Sequence, residues 1–595
     1  MKKKQKKHPP ALTIAGWAQT ALFFLLVGVA QSGVSDTALG SRGDSRPAFL
    51  IVGPDRGFQG NREIKEACNA FAKDYWARLV FISLAKEYED AMRHKLEEAL
   101  KELRAGGSGS VVVIPLVLSE SDPHLKKAKG LLASMEERLQ FAPAMVRDHL
   151  AAQILEDRAR ALSKVPANEQ LVVVGYGATN TAEAATMRRE LEKLATEIRR
   201  RLLFKEAKIA LFFHPAAPEG VLQEGNKRAE KTIRAAGSHH DAVVVPFHLG
   251  PKHTGSMQFS RRIEDMLHGV RARYDGREIL PHANAVLWLK KMANQRMAPR
   301  KTGVVIMPHG AGEYLNEPIL KAVEPLVSRY DLEVAFGMAD TEMLQEAIDR
   351  LEERGATHIL VLRLYATSLS LRDETEYVLG LRESWPLHGH AHGSSAADPP
   401  RVRASAVLAT AGGLDADPLI SEVLLQRAAE VSVAPESETV ILLAHGSGSE
   451  DVEGYWLQQL AAQADFIRAK ARPVFRAVEY ATVREDWPGK REQAIEKVRK
   501  MIVGAASNGG RALVVAARLA GAGPYQQFLK GLRYSLNGKG IAPHPNLTRW
   551  MEKEIERWIA GLSPSIKGGH RVAPEERAPA EVTAIHMPKS TQTIS

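Results

Sequence analysis

Two histidines stand at places where chemistry is physically favoured. His445 lies in TVILLAHGSGS, residues 439–449, where an apolar run breaks abruptly into Gly, Ser and Gly. His309 lies at the same point of GVVIMPHGAG, residues 303–312. An apolar run bounded by glycines reads as a fully buried strand of a parallel sheet. The segment 452–470 that follows His445 has helical spacing, with Trp456, Leu457, Leu460, Ala464 and Ile467. Both imidazoles therefore fall in the turn between a strand's carboxyl end and a helix, which is where open α/β sheets bind ligands. Imidazole there can hold a metal or move a proton.

Other motifs point to less. His388, His390 and His392 form a short HGHAHG cluster, whose alternating histidines could bind metal or face solvent. GAGPYQQF, from Gly521, could approach a ligand backbone or simply start a helix. No Walker lysine follows a GxxxxG, which disfavours nucleotide hydrolysis. Ser447 has no GxSxG elbow around it, which disfavours serine hydrolase chemistry.

The elements that position these residues repeat. Each repeat reads strand, helix, strand, helix, strand, helix. The predicted strands are 48–52, 79–84 and 110–118; 171–174, 208–213 and 242–247; 303–307, 332–336 and 358–364; and 440–444, 474–480 and 511–519. Strands alternating with helices predict parallel sheets covered on both faces, hence an α/β protein of repeated three-layer units. The expected boundaries are 46–165, 168–295, 301–432 and 437–561. Residues 1–40 form a targeting segment and linker, and 562–595 a tail rich in Pro, Ser, Thr and charge.

At 595 residues the chain exceeds one core, and its 45% hydrophobic and 25% charged content is that of a soluble globular protein. Five lysines at positions 2, 3, 4, 6 and 7 account for half of the +10 formal charge. No basic patch interleaved with aromatics follows, so nucleic acid is not an expected partner. The single cysteine, Cys68, excludes an intramolecular disulfide and any multi-cysteine site.

The phrase AHGSGS, a middle strand ending in Val-Glu-Tyr-Ala and a third strand of type VVVIPLVLS resemble the class II tetrapyrrole chelatases of the sirohydrochlorin cobaltochelatase type. Further matching stretches are PHPNLTRWMEKEIERW, LDADPLISEVLLQRAAE and EEALKELRAGGSGSVVVIPLVLSESDPH. The resemblance implies four chelatase-like repeats paired into two bilobal modules, one with two and three with four. It implies insertion of a divalent metal (cobalt, nickel or iron) into a tetrapyrrole, with two pyrrole protons lost to a base. The family supplies a histidine after strand one, a Glu at the end of strand two and a histidine after strand three.

Carried over on that basis, the first position holds His309 and His445, with Pro54 and Tyr176 in units one and two. The second holds Glu479 in unit four and His214 in unit two, while the third holds His124 and His253, with His248 nearby. The implied metal sites are His309, His445 and Glu479 in one cleft, and His124, His214 and His253 in the other. The retained His309, His445 and Glu479 favour an enzyme. The missing strand-three histidines of units three and four favour the alternative, a non-catalytic extracytoplasmic protein that binds metal or tetrapyrrole.

A lysine-rich start followed by the apolar stretch 11–30 reads as an export signal, with small residues at Gly28 and Ala30. An uncleaved anchor, the only expected membrane contact, is the alternative. Cleavage after Ala30 predicts that N-terminal sequencing of the exported protein begins at Gln31. Intact Met1–Ala30 in a membrane fraction would establish the anchor instead.

Overall fold

The computed structural model describes residues 46–562, apart from 107–109, 136–138, 252, 255–256, 311 and 387–396. The targeting segment, the tail and His388, His390 and His392 lie outside the described residues, as does the side chain of His253. Among the described residues no helix is long and apolar enough to cross a membrane.

Four sheets of four strands form the framework. Unit one has β1 (Ala48–Pro54), β2 (Ala77–Ile82), β3 (Val111–Pro115) and β4 (Gln140–Phe141). Unit two has β5 (Glu169–Ala178), β6 (Glu206–Phe213) and β7 (Asp241–Phe247). A short antiparallel hairpin, β8 (His253–Thr254) and β9 (Met257–Gln258), precedes its fourth strand, β10 (Ala272–Arg273). Unit three has β11 (Thr302–Pro308), β12 (Leu332–Val334), β13 (His358–Leu364) and β14 (Val407–Gly412). Unit four has β15 (Glu438–Ala444), β16 (Ala477–Thr482), β17 (Arg511–Ala516) and β18 (Ser535–Leu536). In each four-stranded sheet the spatial order is second, first, third, fourth, and all pairings within these sheets are parallel. The expected α/β class and four-repeat organisation therefore hold.

The first strand of each unit is central and buried on both faces, which is why it reads as an unbroken apolar run. Along β15, Val440, Leu442 and Ala444 enter a core shared with unit three, whereas Ile441 and Leu443 pack beneath unit four's own helix Pro488–Ala505. Along β1, Phe49 and Ile51 enter a core shared with unit two, and Leu50 and Val52 face helix Glu89–Ala105. The units thus pair one with two and three with four.

The pairing is locked by an exchange of closing helices. Helix His149–Leu162, the last of unit one, packs on β7 and on helix Thr181–Leu202 of unit two. Helix Ala283–Asn294, the last of unit two, packs back on unit one's helix Gly57–Ala72. In the other module, Pro418–Ala429 crosses to β17 and Pro545–Gly561 returns to β13 and helix Glu313–Val327. The capping chemistry is duplicated. His282 and His544 each cap a helix by accepting the N–H two residues on, from Asn284 and Asn546, at 3.1 Å. Those asparagines donate at 3.3 Å to Leu150 O and Leu419 O on the partner closing helix. Trp288 and Trp550, at matching places, are buried in the two shared cores.

Segment 401–406 fastens one module to the other. Arg403 grips Asp157 with both terminal nitrogens at 2.7 Å, and Gln153 Nε2 donates to Arg401 O at 2.7 Å. Buried His149 donates Nε2–H to Val402 O at 2.9 Å. Burial, with Lys291 beside it, pushes the His149 pKa down, and burial pushes His358 to about 4. Because these folded-state values lie below the unfolded histidine value near ~6.5, the unfolded chain takes up protons first. Stability is therefore present above that value and is lost as pH falls toward the folded values. The urea midpoint is expected to drop between pH 7 and 5, and to drop less in His149→Gln, whose amide still donates to Val402. A pH-independent midpoint would contradict this.

Candidate functional site

The HGSGS turn after β15 is held from three sides. Buried Glu453 accepts from Ser447 N at 2.7 Å and from the Thr482 hydroxyl. Arg484 Nε donates to Ser447 O at 2.7 Å, and Lys490 Nζ to Gly448 O at 2.6 Å. Gly446 sits at φ +81°, where a Cβ would also lie 2.7 Å from the Cβ of Thr482, so only glycine suits the turn. A Cβ on Gly448 would lie 2.1 Å from the Trp487 indole nitrogen, so glycine here lets that ring close over the turn.

This turn orients His445. Its Nδ1 lies 2.8 Å from Gly446 O. A carbonyl only accepts, so Nδ1 carries the hydrogen, and Nε2 is the nitrogen left to take a proton or a metal. Nε2 faces Asp486 at 3.1 Å and Glu485 at 3.6 Å. The ring stacks on Trp456 (6.1 Å between centroids, 20°) and meets Trp487 edge-on at 6.0 Å. Arg518 holds Glu485 from behind and lies over the Tyr525 ring. His309 repeats the geometry, with Nδ1 2.7 Å from Gly310 O and Gly310 at φ +74°. It is exposed, with its ring 6.4 Å from Tyr365. Tyr455 and Ser368 bridge units three and four through their hydroxyls at 3.0 Å.

Glu479 is placed differently from the expectation. It pairs with Ile441 in the middle of β16, three residues before the strand ends at Thr482. Strand alternation puts it on the face of Ala481, beneath unit four's own helices, while Val478 and Tyr480 face the shared core. The predicted strand 474–480 is observed as 477–482, because the chain enters only after buried Phe475, where Arg476 N bonds Pro435 O and Glu438 O at 2.9 Å. The acids at the strand end are Glu485 and Asp486, which the sequence reading passed over. The continuing run Ala481–Thr482–Val483 was the signal for them.

The amino-terminal pair brings two predicted residues together. His124 and His214 meet edge to face, 5.8 Å between centroids. Asp122 binds His124 Nδ1 at 2.9 Å, which leaves the His124 Nε2 lone pair available. His214 is arranged otherwise: its Nδ1 accepts from Ala216 N at 3.1 Å, so its hydrogen is on Nε2. His253 contributes backbone to β8, and His124 and His248 are the histidines that line the cavity here. Because β1 and β11 both span seven residues and end on proline, Asp55, one residue beyond Pro54, is the counterpart of His309. Arg56 then stands where unit three has Gly310. The cavity between units one and two is about 40 Å³, space for about three waters rather than a macrocycle.

Among the described residues no three His, Cys, Asp or Glu side chains form a ready metal cage. A metal at His445 would therefore be held by few protein ligands and leave positions open. His445→Ala is expected to weaken cobalt binding at least tenfold, about 1.4 kcal/mol, with the fold unchanged. Calorimetric titration at neutral pH checks this, and equal affinity in both proteins would remove His445 from the ligand set.

No family model matches the chain, and no curated protein matches it. The solved structures similar to it include these two. One is SirB from Bacillus subtilis with Fe3+, at 15% identity over 44% of this chain and 96% of that one, with a TM-score of 0.34. The other is a multi-domain protein from Deinococcus radiodurans described as having structural similarity to chelatases and two additional novel domains. It is 18% identical over 42% of this chain and 54% of that one, with a TM-score of 0.28.

Proposed function

We propose that the cleft between units three and four takes a tetrapyrrole and a divalent metal, cobalt, nickel or iron, and inserts the metal. The observation that carries this reading is the corner made by His445, Glu485 and Asp486 between two tryptophans. Insertion replaces two pyrrole N–H bonds by metal–nitrogen bonds and releases two protons. Nε2 of His445 can present the incoming metal, and two carboxylates can accept the protons. Trp456 and Trp487 offer apolar faces beside the imidazole, suited to a flat aromatic macrocycle. The proposal includes export, on the strength of the lysine run and the apolar stretch 11–30.

A second reading, binding without catalysis, is favoured for the amino-terminal module by its small cavity. Absorbance-monitored cobalt insertion into a sirohydrochlorin-type substrate separates the two. Replacing Glu485 and Asp486 together by Gln and Asn is expected to slow insertion by about 10², the size of a lost proton acceptor. Glu479→Gln is expected to stay within about twofold, because that carboxylate lies away from the proposed acceptors. Insertion lost in Glu479→Gln and kept in the double variant would reverse the assignment, and no insertion by the parent protein would leave the binding reading.

A further inference from the structure

The amino-terminal module carries a group its fold does not explain. Arg56 is buried at the carboxyl end of β1 and reaches across to unit two. Its Nε and Nη2 donate to Gly250 O at 3.0 and 2.8 Å, and Nη2 lies 3.3 Å from His248 Nδ1. Its guanidinium also lies over the Tyr176 ring at 5.9 Å. Among the described residues no carboxylate forms an ion pair with it. A buried cation left with carbonyl and imidazole partners is costly unless something neutralises it.

Its two neighbours are also incomplete. Among the described residues, His248 Nε2 and the Tyr176 hydroxyl, both buried, have no hydrogen-bond partner. The hydrogen on His248 can be placed. Arg56 Nη2 only donates, so Nδ1 accepts, and Gly250 O at 3.2 Å is already taken by two arginine N–H groups. Burial keeps the ring neutral by pushing its pKa to about 3, so Nε2 carries the hydrogen. A guanidinium, a phenol O–H and an imidazole N–H therefore line one small cavity as donors. The two acids beside them are engaged: Asp122 accepts from His124, and Glu190 accepts from the Ser119 hydroxyl and from Glu120 N.

The comparison between modules sharpens this. His248 occupies the place of Arg518, since Ile279 N and Leu280 N bond His248 O and Leu249 O as Ile541 N and Ala542 N bond Arg518 O and Leu519 O. In unit four that cation is matched by Glu485. In the amino-terminal module the cation has moved to Arg56, and among the described residues no carboxylate pairs with it as Glu485 pairs with Arg518. Asp122, Glu278 and Glu63 act on it only through space.

We propose that the cavity between units one and two binds a small oxyanion, of formate to bicarbonate size, through Arg56, Tyr176 and His248. Three donors around one void suit a guest that accepts from all of them, and the His124 Nε2 lone pair at the same cavity can accept from the O–H of a bicarbonate. The volume of about 40 Å³ admits a single carboxylate or carbonate group. The site is independent of metal insertion in the other module.

The test is calorimetric titration and thermal unfolding of the full chain with sodium formate and sodium bicarbonate, against sodium chloride at matched ionic strength. Saturable binding and a raised Tm are expected with at least one oxyanion. Tyr176→Phe is expected to weaken binding about fivefold or more while leaving the ligand-free Tm equal or higher, since it removes an unsatisfied hydroxyl. Arg56→Met is expected to abolish binding, and if that variant fails to fold, Tyr176→Phe decides alone. Non-saturating shifts equal to those of chloride, or affinity unchanged in Tyr176→Phe, would overturn the proposal and leave ordered water as the occupant.

Discussion

Everything in this molecule depends on the exchange of closing helices. A unit's sheet has two apolar faces, and its own crossover helices cover the outer one. Only its first crossover helix, Gly57–Ala72 in unit one, lies on the face toward the partner, which it covers only in part. The rest of that face is closed by the partner unit and by the partner's last helix, anchored by Trp288 in one module and Trp550 in the other. A single unit would leave that face in water, at a cost proportional to its apolar area. The pair is therefore the smallest unit that closes its core, and the Asn284–Leu150 and Asn546–Leu419 hydrogen bonds set its geometry.

The functional consequence follows from geometry. Parallel strands put all their carboxyl ends on one edge, and pairing brings two such edges together. Side chains in the turns after the strands then meet across a cleft without being part of the core. They can change while the fold persists. In one module the first turns carry His309 and His445 on matching glycine turns. In the other the same places carry Asp55 and Tyr176, and Arg56 spans the gap. One scaffold thus holds an open corner where an imidazole faces two carboxylates, and a narrow cavity that Arg56, Tyr176 and His248 line.

Much of the fold was legible in the sequence. β11, β13 and β15 read directly because central parallel strands are buried on both faces, so their apolar runs are unbroken. β4, β10 and β18 were not legible, because two-residue strands have no periodicity to detect. The site was legible only in part. His445 announced itself by the break from Ala444 into glycine. Glu479 misled because the entry into β16 is set by Arg476 bonding to residues 435 and 438, a contact that no local pattern reveals. Arg56 and His248 lie 192 residues apart in the chain, and only the pairing of units one and two makes them neighbours.

The central claim is that metal enters the chemistry at the cleft of units three and four, through His445 beside Glu485 and Asp486. The most direct measurement is the anomalous difference density of a crystal soaked in cobalt. The account predicts a peak within bonding distance of His445 Nε2 and of an oxygen of Glu485 or Asp486. A peak at His124 and His214, with His445 bare, would contradict it.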